Sequence, residues 1–209
     1  MVAAPPRLAP PLPAPPRSEQ IDQRVMLHNV SWEQYEAILE TRGDQPGLRM
    51  TYLDGELELM APSRYHEVDK TRLARIIEAW ADERDVPLEG YGAWTVRKRE
   101  RQGGAEADEC YVLGPHDRDA IEHPDLAIEV VWTREAIDKL EVWRRLGAKE
   151  AWIWQDGALH QYRLGDDIEP LTRSELLPDL DPGLIAECMA APSQRDAVRL
   201  LRDRLRAQR

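Results

Sequence analysis

Two stretches of this chain put acidic residues where acids are costly. One is Glu106-Ala107-Asp108. The other is Pro124-Asp125-Leu126-Ala127-Ile128-Glu129-Val130-Val131, with a glutamate in the middle of an apolar strand. Downstream, Glu135, Lys139 and Trp143 recur at intervals of four. A carboxylate inside an apolar strand costs free energy unless it reaches a sheet end, a partner or a cation. Two acids on neighbouring strands make half a shell for Mg²⁺, which takes few carboxylates and completes an octahedron with water and phosphate oxygens. Such an ion makes water nucleophilic and offsets charge building on a phosphoryl group, and a nearby lysine orients that water or stabilises that charge. The three pieces together are the skeleton of a metal-dependent, phosphodiester-cleaving site.

Period two along the second stretch puts Asp125, Ala127, Glu129 and Val131 on one face and Leu126, Ile128 and Val130 on the other. The second face is wholly apolar and must be core, so the first faces solvent or a cleft. Plainer readings compete: Glu129 as an exposed strand acid, and Glu135–Lys139 as a surface ion pair worth a few tenths of a kcal/mol. His66 has no second histidine at i+4 and no neighbouring cysteine, so it does not read as a zinc ligand. It reads as an ordinary helix-start residue, or as one that contacts phosphate or orients an acid. Removing either acid is expected to abolish cleavage and leave the fold intact.

These residues need elements to hold them. Ser31 with Gln34 fits a capping box and opens a helix over 31–41. Met50 to Met60 alternates around Asp54-Gly55, a tight hairpin signal, with Glu56 and Glu58 on one shared face. A long helix follows over 66–83, carried by the stripe Val68, Leu73, Ile76, Ile77 and Trp80. Strands are expected over 91–98, 105–113 and 124–132, the first two joined as a hairpin through Gln102-Gly103-Gly104. A helix opened by Thr133 runs over 134–146 and ends at Gly147. Asp156-Gly157 joins strands at 150–155 and 158–164, whose alternation makes Trp152 and Trp154 core residues rather than base-stacking ones. A short edge element and a basic helix at 193–207 close the chain. The order is that of an α/β fold with a mixed sheet. It divides into a Pro/Ala-rich tail over 1–18, one domain over 19–190 and a C-terminal helix over 191–209.

The chain has 209 residues, 42% of them apolar, enough for one sizeable core without any phenylalanine. No apolar run is long enough for a bilayer span. Cys110 and Cys188 have no motif spacing and read as free thiols of a reducing cytoplasm. A net charge of −11 argues against a protein that coats nucleic acid, but leaves room for a nuclease with local basic patches. Two such patches are Arg97-Lys98-Arg99-Glu100-Arg101 and the arginines from Arg195 to Arg209, either of which reads equally as a solvated surface.

Six short pieces also stand in a familiar order. They are Tyr52-x-Asp54-Gly55-Glu56-x-Glu58-x-Met60, Pro62 with His66, Glu106-x-Asp108, Pro124-Asp125-Leu126-x-x-Glu129-Val130, the Glu135/Lys139/Trp143 ladder and Gly147-x-x-Glu150-x-Trp152. Each is weak alone; in register they are specific. Over about residues 30 to 185 the chain resembles the Uma-type restriction endonuclease family, within the PD-(D/E)xK nuclease superfamily. The resemblance implies a restriction-endonuclease-like mixed sheet flanked by helices and a Mg²⁺-dependent endonuclease (Mn²⁺ as the alternative ion) acting on DNA. It makes Asp108 and Glu129 the metal ligands, Lys139 the assisting cation and Glu56 an accessory acid. The chain departs from the pattern at Ala107, where proline is usual, and at Val131, where the superfamily's lysine usually sits and which Lys139 replaces. It departs again at Glu135 and Trp143, where aspartate and tyrosine are commoner. A homodimer suits an enzyme that cuts both strands. The alternative is a catalytically silent nuclease fold serving as a binding or regulatory module.

Overall fold

The computed structural model describes residues 21–43, 47–132 and 137–207. The tail over 1–18 and Glu135 lie outside them. Two sheets form, where the sequence suggests one. The first has the order β1-β3-β2-β6-β5, from Gln23–Leu27 (β1), Arg49–Leu53 (β2), Glu56–Ala61 (β3), Thr95–Lys98 (β5) and Gly103–Glu106 (β6). The second runs β11-β10-β9-β8-β7-β4. Its strands are Leu88–Gly90 (β4), Glu109–Leu113 (β7), Leu126–Val131 (β8), Glu150–Gln155 (β9), Ala158–Leu164 (β10) and Ile168–Leu171 (β11). Among the described residues only β8 and β9 pair in parallel, so the second sheet is mixed. Five helices flank the sheets: Trp32–Arg42 (α1), Arg64–Arg84 (α2), Lys139–Leu146 (α3), Pro182–Met189 (α4) and Gln194–Ala207 (α5). Among the described residues no helix is long and apolar enough to cross a membrane.

The strand expected over 105–113 is in fact two. It breaks at Ala107-Asp108, where the chain leaves the first sheet as β6 and enters the second as β7. Asp108 therefore stands at the junction of the two sheets. Because β8 and β9 are parallel, a crossover must join them, and α3 supplies it. This helix is shorter than expected, because Asp138 in extended conformation caps it, its side chain accepting from the Glu141 amide.

That crossover corrects the reading of β8. The face bearing Ala127 and Glu129 is not open to solvent: α3 covers it, and Ala127, Ala151, Val142, Trp143 and Leu146 pack into one core with Val96 and Ala105 of the first sheet. The opposite face, with Leu126, Ile128, Val130 and Trp152, packs against α2, α4 and α5. The C-terminal helix shares this second core through Ala197, Leu201 and Leu205, so nothing physical separates it from the body of the domain. Both cysteines are buried and free.

A third core lies under α1, where Tyr35 stacks on Tyr52 with ring centroids 4.9 Å apart. Gly104 of β6 passes directly beneath it. A Cβ on Gly104 would meet the Tyr35 Oη at 2.4 Å and its ring at 2.8 Å, and the buried, stacked tyrosine has nowhere to go. Gly104→Ala is expected to cost about 1–3 kcal/mol by overpacking. At roughly 2–4 °C per kcal/mol for a chain of this size, that is a visible drop in Tm by calorimetry.

Candidate active site

The ladder between β7 and β8 ends with Glu109 opposite Ile128, and Asp108 and Glu129 are the next residues beyond that pair on the two strands. Two further hydrogen bonds hold this alignment: the Asp108 amide donates to the Ile128 carbonyl at 3.2 Å, and the Val130 amide donates to Asp108 Oδ2 at 2.8 Å. The two acids are thus cross-strand neighbours with 1% and 0% of their surface exposed. The charge of Asp108 acts on Glu129 across the two strands.

Cations answer both carboxylates. Lys139 Nζ lies 2.6 Å from Glu129 Oε2, delivered by the first turn of α3, and is itself buried. Trp143, one turn further, donates its indole N–H to Glu129 Oε1 at 2.7 Å. The indole thus supplies the donor that a tyrosine hydroxyl would otherwise provide at this position. Asp108 Oδ1 lies 3.1 Å from Arg49 Nε and 2.9 Å from His66 Nε2. Neither N–H points along a hydrogen-bond line, so this buried oxygen is charge-compensated but has no directed donor.

The acids titrate apart. Burial pushes Asp108 up, but the contact and charge of His66, with Lys139 and Arg49 behind, hold it well below the usual carboxylate range. Burial dominates at Glu129 and raises it, Lys139 opposing and the charge of Asp108 adding to the rise. The surroundings thus favour the charged form at Asp108 and oppose it at Glu129, where Lys139 counters part of the rise.

His66 plays a larger part than its lone position in the sequence suggests. Ser63 caps α2 by accepting from the His66 amide, which aims the ring into the cluster. Its Nδ1 lies 3.1 Å from Asp22 Oδ2, while Asp22 Oδ1 accepts from the Ser63 amide. With a carboxylate at each nitrogen, the ring suits the imidazolium form, whose nitrogens are both donors. Burial pushes its pKa down, but Asp108 and Asp22 outweigh burial and raise it to about 9. Its stabilising contribution is therefore complete below the ordinary value of 6.5 and lost as pH rises through about 9. Tm is expected to fall between pH 7 and pH 10, and to fall less in His66→Gln. Equal slopes in the two proteins would place the titrating group elsewhere.

Glu56 does not join this cluster. It stands at the hairpin end of β3, half exposed, with its carboxylate 2.5 Å from His28 Nδ1. Its neighbour Glu58 is the buried one, paired with Arg24 at 2.8 Å, and Arg24 also approaches Asp22 at 3.7 Å. Glu106 is structural: it takes hydrogen bonds from the Met50 amide and Thr95 and an ion pair from Arg42. Sequence reasoning missed Asp22 and Arg49, and weighed His66 as an ordinary helix-start residue or one that contacts phosphate or orients an acid. The only local signal was Ser63 three residues before His66, an N-cap spacing.

The chemistry of the donor set suits a hard divalent ion: two adjacent carboxylates, one with an oxygen lacking a directed donor. Among the described residues no group of three or more His, Cys, Asp or Glu is arranged to hold a metal, so water and phosphate oxygens would have to complete the shell. A groove of ≈ 580 Å³ reaches the cluster at Arg49, and Arg42 and Lys70 line it with Glu67 and Glu106.

Comparison with known proteins adds the following. A family model described as "Uma2: Putative restriction endonuclease" matches residues 32–190. Among solved structures, one titled a putative nuclease belonging to DUF820, from Anabaena variabilis, is 12% identical with a TM-score of 0.48, over 73% of this chain and 90% of that chain. No curated protein matches.

Proposed function

Because the chain belongs to the Uma2 restriction endonuclease family, we propose that it hydrolyses phosphodiester bonds in DNA as a Mg²⁺-dependent endonuclease. The observation that carries this reading is the cross-strand pair Asp108 and Glu129 with Lys139 ion-paired on the second acid. Asp108 and Glu129 would hold the ion, Mg²⁺ or Mn²⁺, which when bound supplies a Lewis acid and a more acidic water. Lys139 stands where an ammonium can face the attacking water or the charge developing on phosphate. Trp143 and His66 orient the acids: the indole fixes the Glu129 carboxylate, and the imidazole holds Asp108 ionised. Arg42, Arg49 and Lys70 line the groove, Arg42 paired with Glu106 and Lys70 with Glu67, and would turn to a phosphate backbone by exchanging those partners. Glu56, turned to His28 at the surface, is left out of this machinery. Two chains would supply the two sites that cutting a duplex requires.

The test is cleavage of supercoiled plasmid in Mg²⁺ or Mn²⁺, with loss of cutting in EDTA. Glu129→Gln should remove the activity while calorimetry shows weakened Mg²⁺ binding. A second reading has one observation in its favour. Both acids are fully buried and already answered by Arg49, His66, Lys139 and Trp143, as a silent binding module would need. Absence of cutting on every DNA or RNA substrate, together with absent Mg²⁺ binding, would decide for that module.

A further inference from the structure

On the opposite flank of α2 from the cationic groove, a second cavity of ≈ 300 Å³ opens. The indoles of Trp132 and Trp154 wall it, Asp69 of α2 reaches into it, and Val131 and Met189 supply apolar surface. The Asp69 carboxyl lines the cavity together with both indoles, and burial raises it above the usual carboxylate range. A carboxylate has about four lone-pair positions, enough to accept two donors side by side. Trp154 and Met189 belong to the core beneath, whereas Trp132 keeps 45% of its surface exposed.

The rim is suited to a strand of nucleic acid. Tyr65 packs on Trp132 with ring centroids 6.0 Å apart, extending the aromatic surface outward. Arg64 lies 5.2 Å over the Tyr65 ring and puts a positive charge beside it. Trp132 also follows Glu129 by three residues at the end of β8, which at strand rise is roughly 10 Å. Period two turns Glu129 and Trp132 to opposite faces of that strand, so a nucleic-acid strand held at both would pass around the end of β8.

We propose that this cavity receives one unpaired base of the strand being cut, a guanine, stacked on Trp132 with its pairing edge on the Asp69 carboxylate. The proposal rests on the nuclease reading for its substrate and adds a base preference to it. An aromatic wall with a polar group at the pairing edge is how proteins read a base taken out of the stack. Guanine alone presents two adjacent donors there, the ring N1–H and the exocyclic amine. The other bases offer a carboxylate one donor beside an acceptor.

The experiment is fluorescence anisotropy of the full chain in EDTA, where no cleavage occurs. The probes are labelled single-stranded oligothymidylates carrying one central guanine, hypoxanthine or thymine. Guanine should bind about tenfold tighter than thymine, the effect of hydrogen bonds to a charged group. Hypoxanthine, which lacks the exocyclic amine, should fall between them. Asp69→Asn should erase the ranking, and Trp132→Ala, at an exposed position, should weaken all three strands by about tenfold. Equal binding of the three strands, no binding of any, or a ranking that survives Asp69→Asn would overturn the proposal. A guanine preference without plasmid cleavage would reject only the nuclease reading; cleavage without the preference would reject only this cavity's role.

Discussion

Replacing Asp108 by asparagine is expected to lower Mg²⁺-dependent cleavage by more than about 100-fold, since even residues that merely orient a metal ligand cost 10–100-fold. The choice of asparagine follows from the geometry. Asp108 holds the Val130 amide on one oxygen and faces Arg49 and His66 with the other, all of it buried. Alanine at this position would take from buried His66 and half-buried Arg49 the anion they share, leaving them Asp22 and Glu67, a loss of up to roughly 3–5 kcal/mol. It would also leave the Val130 N–H unpaired, at about 1–3 kcal/mol. The expectation from sequence, that removing this acid spares the fold, is therefore corrected: a carboxylate that neutralises two interior cations is structural as well as chemical. Asparagine keeps an acceptor for the Val130 amide and the side-chain volume, so it should melt above Asp108→Ala while cutting no better. An asparagine variant that cuts within threefold of the native protein would remove Asp108 from the metal site.

What could be read from the chain, and what could not, divides by distance along it. The hairpin at Asp54-Gly55 was legible because both residues take left-handed backbone, φ 48° and 91°, which that dipeptide favours. The long helix was legible because its buried stripe of Leu73, Ile76, Ile77 and Trp80 repeats at helical spacing. Trp152 and Trp154 do lie in the core, but β9 is buried on both faces over Glu150 to Trp154, so the expected alternation is not what puts them there. The break at Ala107-Asp108 was not legible, since small and apolar residues on both sides suit one strand as well as two. Which sheet each half joins is settled by β2 and β8, far away in sequence. The burial of Glu129 was misread for a related reason. Period two sees a polar residue and infers an open face, but a parallel crossover lays a helix on that face and supplies Lys139 with it. The acid pair was legible because spacing and residue type carried it. The cations on Asp108 were not, since Arg49 and His66 come from β2 and α2 and no local pattern marks them. Asp181-Pro182 opening α4 was a readable cap that the sequence reading passed over.

The Glu129–Lys139 pair permits a sharper separation of stability from chemistry. Lys139→Met removes a buried ammonium from beside a buried carboxyl that burial already raises, so Glu129 should take up a proton and cleavage should fall. Glu129→Leu leaves the ammonium facing Trp143 without this carboxylate. Each single change is expected to cost roughly 3–5 kcal/mol, the usual result of breaking one side of an interior ion pair. The double variant Glu129→Leu/Lys139→Met should be far less damaged than the sum, because two apolar side chains of similar size in a dry core replace an ion pair at little net cost. A coupling energy above about 1 kcal/mol in the thermal or urea cycle is expected for groups in direct contact. Cleavage should not return with stability in the double variant, because the carboxylate is what would hold the ion. If the costs simply add, the 2.6 Å contact is not an energetic pair. If Lys139→Met cuts as well as the native protein, the lysine serves the fold alone, and charge on the phosphate must be met from Arg42 or Lys70 in the groove.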